Sequence, residues 1–156
     1  MKRLLAKIIL WFLGRGLEAA AKLDPVVKKE INSWKDSSVI IISINDFGPT
    51  LGLIKEKDRL KAVKVKELKN PELAIYFKNI EAALLVLTGQ TGIARAFSEH
   101  RFSVRGDIGF SMSFVRVLYI VESYLFPKFI TNKILKQQPK KGSTRFRIYL
   151  SVLFGI

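Results

Sequence analysis

The sequence predicts an α+β fold, a five-stranded and mainly antiparallel sheet covered by helices. A dense β-branched run at 39–44 is followed by two short apolar segments on hairpin-length links, which sets three strands side by side. Two more strand-like runs, at 73–77 and 101–105, are separated by helical spacing. Long apolar segments at 2–22 and 109–126 flank this set and supply covering helices.

The elements follow in chain order. Residues 2–22 place Leu4, Leu5, Ile8, Ile9, Phe12, Leu13, Gly16, Leu17 and Ala20 in helical rhythm, with Arg3, Lys7, Gly14 and Glu18 opposite. Each glycine costs this helix roughly 1 kcal/mol against alanine, so the helix needs a surface to lie on. A signal peptide is the rival reading: Lys2-Arg3, an apolar run, then Ala19-Ala20-Ala21. Lys7 interrupts that run and Glu18 crowds the cleavage site, which favours the amphipathic helix. The stretch also breaks short of the roughly 20 apolar residues of a membrane span. Asp24 and Pro25 are N-cap and first residue of a second helix, to about Trp34.

After the run at 39–44, Asp46-Phe47-Gly48-Pro49 turns the chain into a strand at 51–54. Lys57-Asp58 makes the next turn. Leu60, Ala62, Val63 and Val65 alternate with lysines, giving a half-exposed third strand. Asn70-Pro71 precedes the strand 73–77. Asn79 caps a helix at 80–87, which Gly89 stops, and Gly92 precedes a short helix at 93–98. Gly106-Asp107 turns the fifth strand into the helix 109–126, closed by Pro127. A short helix is expected within 128–138. A linker-like stretch at 137–143 and an apolar end from Phe146 to Ile156 follow.

Composition narrows the function. At 156 residues the chain fits one folded unit with helical extensions. It has no cysteine and one histidine, His100, which excludes disulfides, thiolate chemistry and metal sites built on several His or Cys ligands. No cofactor is expected. The net charge is +14, unevenly placed: residues 71–127 carry five basic and five acidic side chains, residues 128–156 seven basic and none acidic. Such a balance favours an anionic partner, membrane headgroups or nucleic acid. Nucleic acid is the weaker option, because the folded centre is neutral and does not interleave aromatics with cations.

The segment 72–127 holds Phe77, Phe97, Phe102, Phe110 and Phe114 but no constellation of catalytic side chains. Ser98, His100 and Asp107 lack the spacing of a nucleophile elbow. Gly89-Gln90-Thr91-Gly92 lacks the lysine and length of a phosphate loop and reads as an interhelical turn. Arg105-Gly106-Asp107 reads as a turn at a strand end. The helix 109–126 carries only Arg116 and Glu122 as charges. At a bilayer centre each would cost about 3 kcal/mol, so a buried helix over a sheet is the better reading.

The opening hairpins, the Leu73-Ala74-Ile75-Tyr76-Phe77 strand and the helix ending Leu87-Thr88-Gly89 form an ordered series. It continues with the short helix ending near Ser98, the Phe102-Ser103-Val104-Arg105-Gly106-Asp107 strand and turn, and the apolar helix after it. Over about residues 38–127 this series resembles the sterol carrier protein type-two domain family, as a bacterial-type stand-alone member. The resemblance implies a sheet covered by helices around an apolar tunnel that takes fatty acyl chains, sterols or other lipids. The family also includes domains within larger enzymes and bacterial ubiquinone-biosynthesis accessory proteins that hold polyprenyl intermediates. The basic, apolar N-terminal helix and the basic tail depart from the family pattern. The chain ends Phe-Gly-Ile without a peroxisomal address, so a peroxisomal role gains no support.

The expected organisation is an amphipathic helical segment at 1–36, a lipid-binding domain at 37–127 and a basic tail with an apolar end at 128–156. The cavity candidates are Ile41, Phe77, Leu84, Phe97, Phe102, Val104, Phe110, Met112, Phe114 and Val117. The residues alone leave open whether these surround a void or fill a core. The membrane-surface candidates are Lys133, Lys136, Lys140, Lys141, Arg145 and Arg147, with Phe146, Tyr149, Leu150, Leu153 and Phe154 placed to insert. A solvated tail is the competing reading. The expected function is a non-enzymatic carrier of a fatty acyl, sterol-like or isoprenoid lipid, cytoplasmic and peripheral to an anionic membrane. The alternatives are an accessory protein to enzymes of a lipid or quinone pathway, or an interaction domain without ligand.

Overall fold

The 39–44 run becomes the hub of the sheet because its residues are buried and paired on both edges. The computed structural model describes residues 1–155. Strand β1 (Val39–Ile44) pairs antiparallel with β2 (Thr50–Glu56), which pairs antiparallel with β3 (Arg59–Val63). On its other side β1 runs parallel to β4 (Leu73–Phe77), and β4 pairs antiparallel with β5 (Phe102–Gly106). The order is β3-β2-β1-β4-β5, mostly antiparallel with one parallel pair. That pair arises because the crossover through 64–72 returns the chain to the far edge of β1.

Helix α1 (Lys2–Leu23) packs across β2 and β3 and against the later helices. Gly14 and Gly16 carry this packing, since a Cβ at Gly14 would stand 2.9 Å from Leu51 and one at Gly16 2.9 Å from Leu125. Gly14 therefore lies on a buried face, where the sequence places it on the solvent side. Ala6, Leu10, Leu17 and Ala20 join the core, while Leu4, Leu5, Ile8 and Trp11 stay exposed. Glu18 accepts the Ala62 amide at 2.7 Å and so satisfies a donor near the sheet edge. Asp24 ends α1 and caps α2 (Pro25–Asn32), accepting from Val26 and Val27 at 2.7 and 3.2 Å. Trp34, expected at the end of α2, lies beyond it and sends its indole N–H to Ser113.

Helices α3 (Ile80–Leu87) and α4 (Ile93–Ser98) follow β4, and Asn79 caps α3 as expected. Helix α5 (Ile108–Leu125) starts on an Asp107 cap. Gly106 makes this start possible: its φ is +138°, and a Cβ there would sit 2.1 Å from the Glu72 carbonyl. Helix α5 passes the length and hydropathy test for a membrane span, yet half of it is buried inside the fold. Its main backbone neighbours are helices, including α1 and α2, rather than strands. The helix thus covers the sheet at a stand-off, as a sheet covered by helices around a tunnel requires.

The C-terminal residues fold back. Helix α6 (Lys128–Ile134) leads to a bend, and α7 (Arg145–Phe154) packs along α1 with Ile148, Ser151 and Val152 buried. Arg15 donates to the Val152 carbonyl at 3.2 Å. Ile156, the last residue of the expected apolar end, lies outside the described residues.

Candidate functional site: an apolar cavity between sheet and helices

The stand-off of α5 leaves a cavity of about 890 Å³. Ligand sites typically run from roughly 300 to 1,000 Å³. One wall is a single face of the sheet. Strand pairing puts Ile42 beside Ile75, Ile75 beside Val104 and Phe77 beside Phe102, and the two-residue period turns all of them inward. The facing wall is a stripe of α5, Ser111, Met112, Val115, Leu118, Tyr119 and Glu122, at helical spacing. Val86, Leu87, Ile93 and Phe97 of α3 and α4 close one side, and Ile8, Ile9, Phe12 and Leu13 of α1 the other. Ile108 and Met112 line the cavity while 80% and 54% exposed, and Ile8 and Phe97 are exposed too, so these four mark its mouth.

Six sequence candidates stand on this wall: Phe77, Phe97, Phe102, Val104, Met112 and Phe114. Phe77, Phe97 and Phe102 form an aromatic run with centroids 5.4 and 5.7 Å apart. Four do not line it. Ile41 sits one residue out of phase with Ile42 and faces the other side of the sheet. Phe110 packs on Trp34 at 4.9 Å, and Val117 is fully buried, both away from the cavity stripe of α5. Leu84 packs into the core on α3 without reaching the cavity.

The α1 wall was missed because 2–22 reads as an outlying amphipathic segment. Its signal was present: Ile8, Ile9, Phe12 and Leu13 all fall on the apolar rhythm. Leu118, Tyr119 and Glu122 could also have been found, since they continue the Met112–Val115 stripe.

Among the described residues four polar side chains reach the lining, Thr88, Ser111, Tyr119 and Glu122, and no Lys, Arg or His does. Thr88 donates to the Leu84 carbonyl at 2.6 Å and Ser111 to the Asp107 carbonyl at 2.7 Å. Glu122 is 7% exposed, and its Oε2 is enclosed without a hydrogen-bond partner. Burial pushes its carboxyl up to about 8.

No family model matches the sequence, and the curated proteins hold no match. Solved structures do. The UbiJ-SCP2 ubiquinone synthesis protein aligns with a TM-score of 0.50 at 14% identity, over 76% of this chain and 96% of that one. The chain has the sterol carrier protein type-two fold. Also similar are the apo sterol carrier protein 2 of Yarrowia lipolytica (TM-score 0.48, 14% identity, 73% of this chain and 89% of that one) and palmitated SCP2L2 of Aedes aegypti (0.47, 13%, 69% and 91%).

Two groups of sequence candidates lie outside this cavity. Ser98 donates to the Arg95 carbonyl, His100 is exposed and Asp107 is spent as the α5 cap. Among the described residues no cluster of three His, Asp or Glu could hold a metal. Of the membrane-surface candidates, Lys133, Lys136, Lys140 and Arg147 are exposed. Lys141 is exposed as well and Arg145 half-buried, and both also reach the end of α5: Lys141 donates to the Ser123 carbonyl at 2.8 Å, and Arg145 to the Ser123 and Phe126 carbonyls at 2.9 Å. They cap the open C-terminus of α5, where cations meet the negative end of the helix dipole. Of the side chains expected to insert, Phe146, Leu153 and Phe154 are exposed, while Tyr149 donates to the Leu125 carbonyl.

Proposed function

We propose that the chain holds a hydrophobic lipid, a fatty acyl, sterol-like or isoprenoid molecule, in the cavity between the sheet and α5, and works as a non-enzymatic carrier at membrane surfaces. One observation carries this reading: a cavity of about 890 Å³ with four polar side chains in its lining. Protein interiors are normally packed without voids. Water is a poor filler here, because each buried molecule needs about two to four polar partners. An apolar chain suits the lining: at about 0.8 kcal/mol per CH₂, a chain of about 16 carbons contributes on the order of 10 kcal/mol gross. Ordering costs lower the net value.

Membrane association is supported by the exposed Leu4, Leu5, Ile8 and Trp11 of α1, with Lys7 among them, and by the exposed cations at 133–147. Ile8 belongs both to this patch and to the cavity mouth.

Native mass spectrometry of the protein purified from cells tests the proposal. Co-purified lipid at one molecule per chain is the expected result. Protein that arrives empty, and stays empty when incubated with lipid extract, would sink it.

A second reading, an accessory protein that presents a hydrophobic intermediate to enzymes of a lipid or quinone pathway, is favoured by the likeness to the ubiquinone synthesis protein. Pull-down from a lysate separates the two. Stable capture of lipid-pathway enzymes supports the accessory role, and lipid exchange between vesicles without such capture supports the carrier.

A further inference from the structure

We infer that Glu122 is the polar anchor of this cavity, and that it selects a lipid whose polar end is an uncharged oxygen acceptor: a ketone, quinone or ester carbonyl, or a hydroxyl. The inference rests on the lipid-holding reading and adds the chemistry of the head group.

A partnerless buried carboxyl oxygen is costly, and native interiors rarely keep one without a use. Glu122 Oε2 is such an atom, on the cavity-lining stripe of α5. The hydroxyls of Thr88 and Ser111 already donate to backbone carbonyls and Tyr119 is only half-buried, which leaves Glu122 as the deeply buried donor free to meet a ligand. At neutral pH burial keeps this carboxyl protonated, so it offers an O–H.

Charge excludes the other head groups. The chain carries +14, yet α1, β1, β4, β5, α3 and α4 contribute only uncharged side chains to the lining. A phosphate or carboxylate head would enter without a counter-ion, and an ammonium head would meet a neutral acid. Tyr119, one turn earlier on α5, is the titratable neighbour, raised by burial and then by Glu122. Around the rest of α5, Arg116 pairs with Glu30 of α2, and Lys141 and Arg145 are held by the Ser123 carbonyl.

Glu122 also lies at depth. It follows Met112 at the mouth by ten residues, about 15 Å along the helix axis. The head group therefore sits inside and the tail extends along α5 toward Met112.

The test uses the full chain and two probes, 2-heptadecanone and hexadecyl phosphate, read by displacement of a neutral fluorescent dye. The wild type is expected to bind the ketone roughly tenfold more tightly than the phosphate at about pH 6.5. Ketone affinity should fall roughly 3- to 10-fold by about pH 9.5, as the donor proton is lost. Glu122→Gln keeps a donor and should hold ketone affinity level across that range. Glu122→Leu should bind the ketone weakly at both pH values. Phosphate binding as tight as ketone binding, or ketone binding unaffected by both Glu122→Leu and pH, would overturn the anchor and leave the lipid reading standing. If neither probe binds, the lipid reading fails and takes the anchor with it.

Discussion

The Tyr124 hydroxyl donates to Asp24 Oδ2, tying the last turns of α5 to the junction of α1 and α2. Both residues are fully buried. The same hydroxyl accepts the Ser143 amide at 2.9 Å, and Asp24 also accepts the Gly142 amide at 3.0 Å, so the returning C-terminal segment is pinned here too. Tyr124→Phe removes a hydrogen bond to a carboxylate and strands a backbone donor. A loss of about 1.5–3 kcal/mol follows, read as a lower urea midpoint. Because Tyr124 faces away from the cavity, lipid load per folded chain should stay at the wild-type level.

Glu122 sets a pH dependence of stability. Its folded-state value is about 8 against 4.5 in the ordinary case. Between these limits the unfolded chain has released a proton that the folded chain retains, so this residue lowers stability as pH rises from about 4.5 to about 8. Below that window its contribution is unpenalised, and above it the loss is complete, on the order of a few kcal/mol. Glu30, held down chiefly by its hydrogen bond from Arg116, acts in the opposite sense. Comparing wild type with Glu122→Gln cancels Glu30 and the surface carboxylates. The variant should gain more stability at about pH 8.5 than at about pH 4.5; equal gains at both would show that Glu122 titrates normally.

The strands were legible because their signal is local. The β-branched 39–44 run and the apolar 73–77 run fix the element, and the alternation at 101–105 fixes facing as well, which is how Phe102 and Val104 were placed on one side. Ile41 shows the limit: a run that is apolar throughout does not say which parity faces the cavity. The same limit applies to α5, where Phe110, Met112, Phe114 and Val117 are equally apolar and only the placement of α1 and α2 decides which look into the void. The role of Lys141 and Arg145 was invisible for a different reason. A basic run reads as solvated until a distant helix end, here that of α5, is known to sit beside it.

Filling the void tests whether its volume is used. Val115 is half-buried on the cavity stripe of α5. Val115→Phe places a ring in existing space, so the strain of about 1–3 kcal/mol expected from overpacking a dense core should not appear. The expected outcome is a thermal midpoint at or above that of the wild type, with co-purified lipid reduced severalfold by mass spectrometry. A sharply lowered midpoint would mean that the region is already packed.

Membrane docking needs a variant that leaves the fold intact. Deleting residues 137–156 does not serve, since Ile148 and Val152 are core residues and Lys141 and Arg145 cap α5. Reversing the exposed Lys133, Lys136, Lys140 and Arg147 to glutamate leaves those contacts in place. Each cation near an anionic surface contributes about 1 kcal/mol, so the quadruple variant should lose most vesicle binding at low salt. Wild-type binding should weaken similarly as ionic strength rises, because exposed charges are screened beyond about 8–10 Å at physiological salt. Trp11→Ala removes an exposed aromatic from α1 and should weaken binding to anionic and neutral vesicles alike, since its contribution is apolar. Co-sedimentation at two salt concentrations separates the two surfaces. If the charge-reversed protein binds as well as the wild type while Trp11→Ala does not, docking belongs to α1 and to the cavity mouth that Ile8 shares with it.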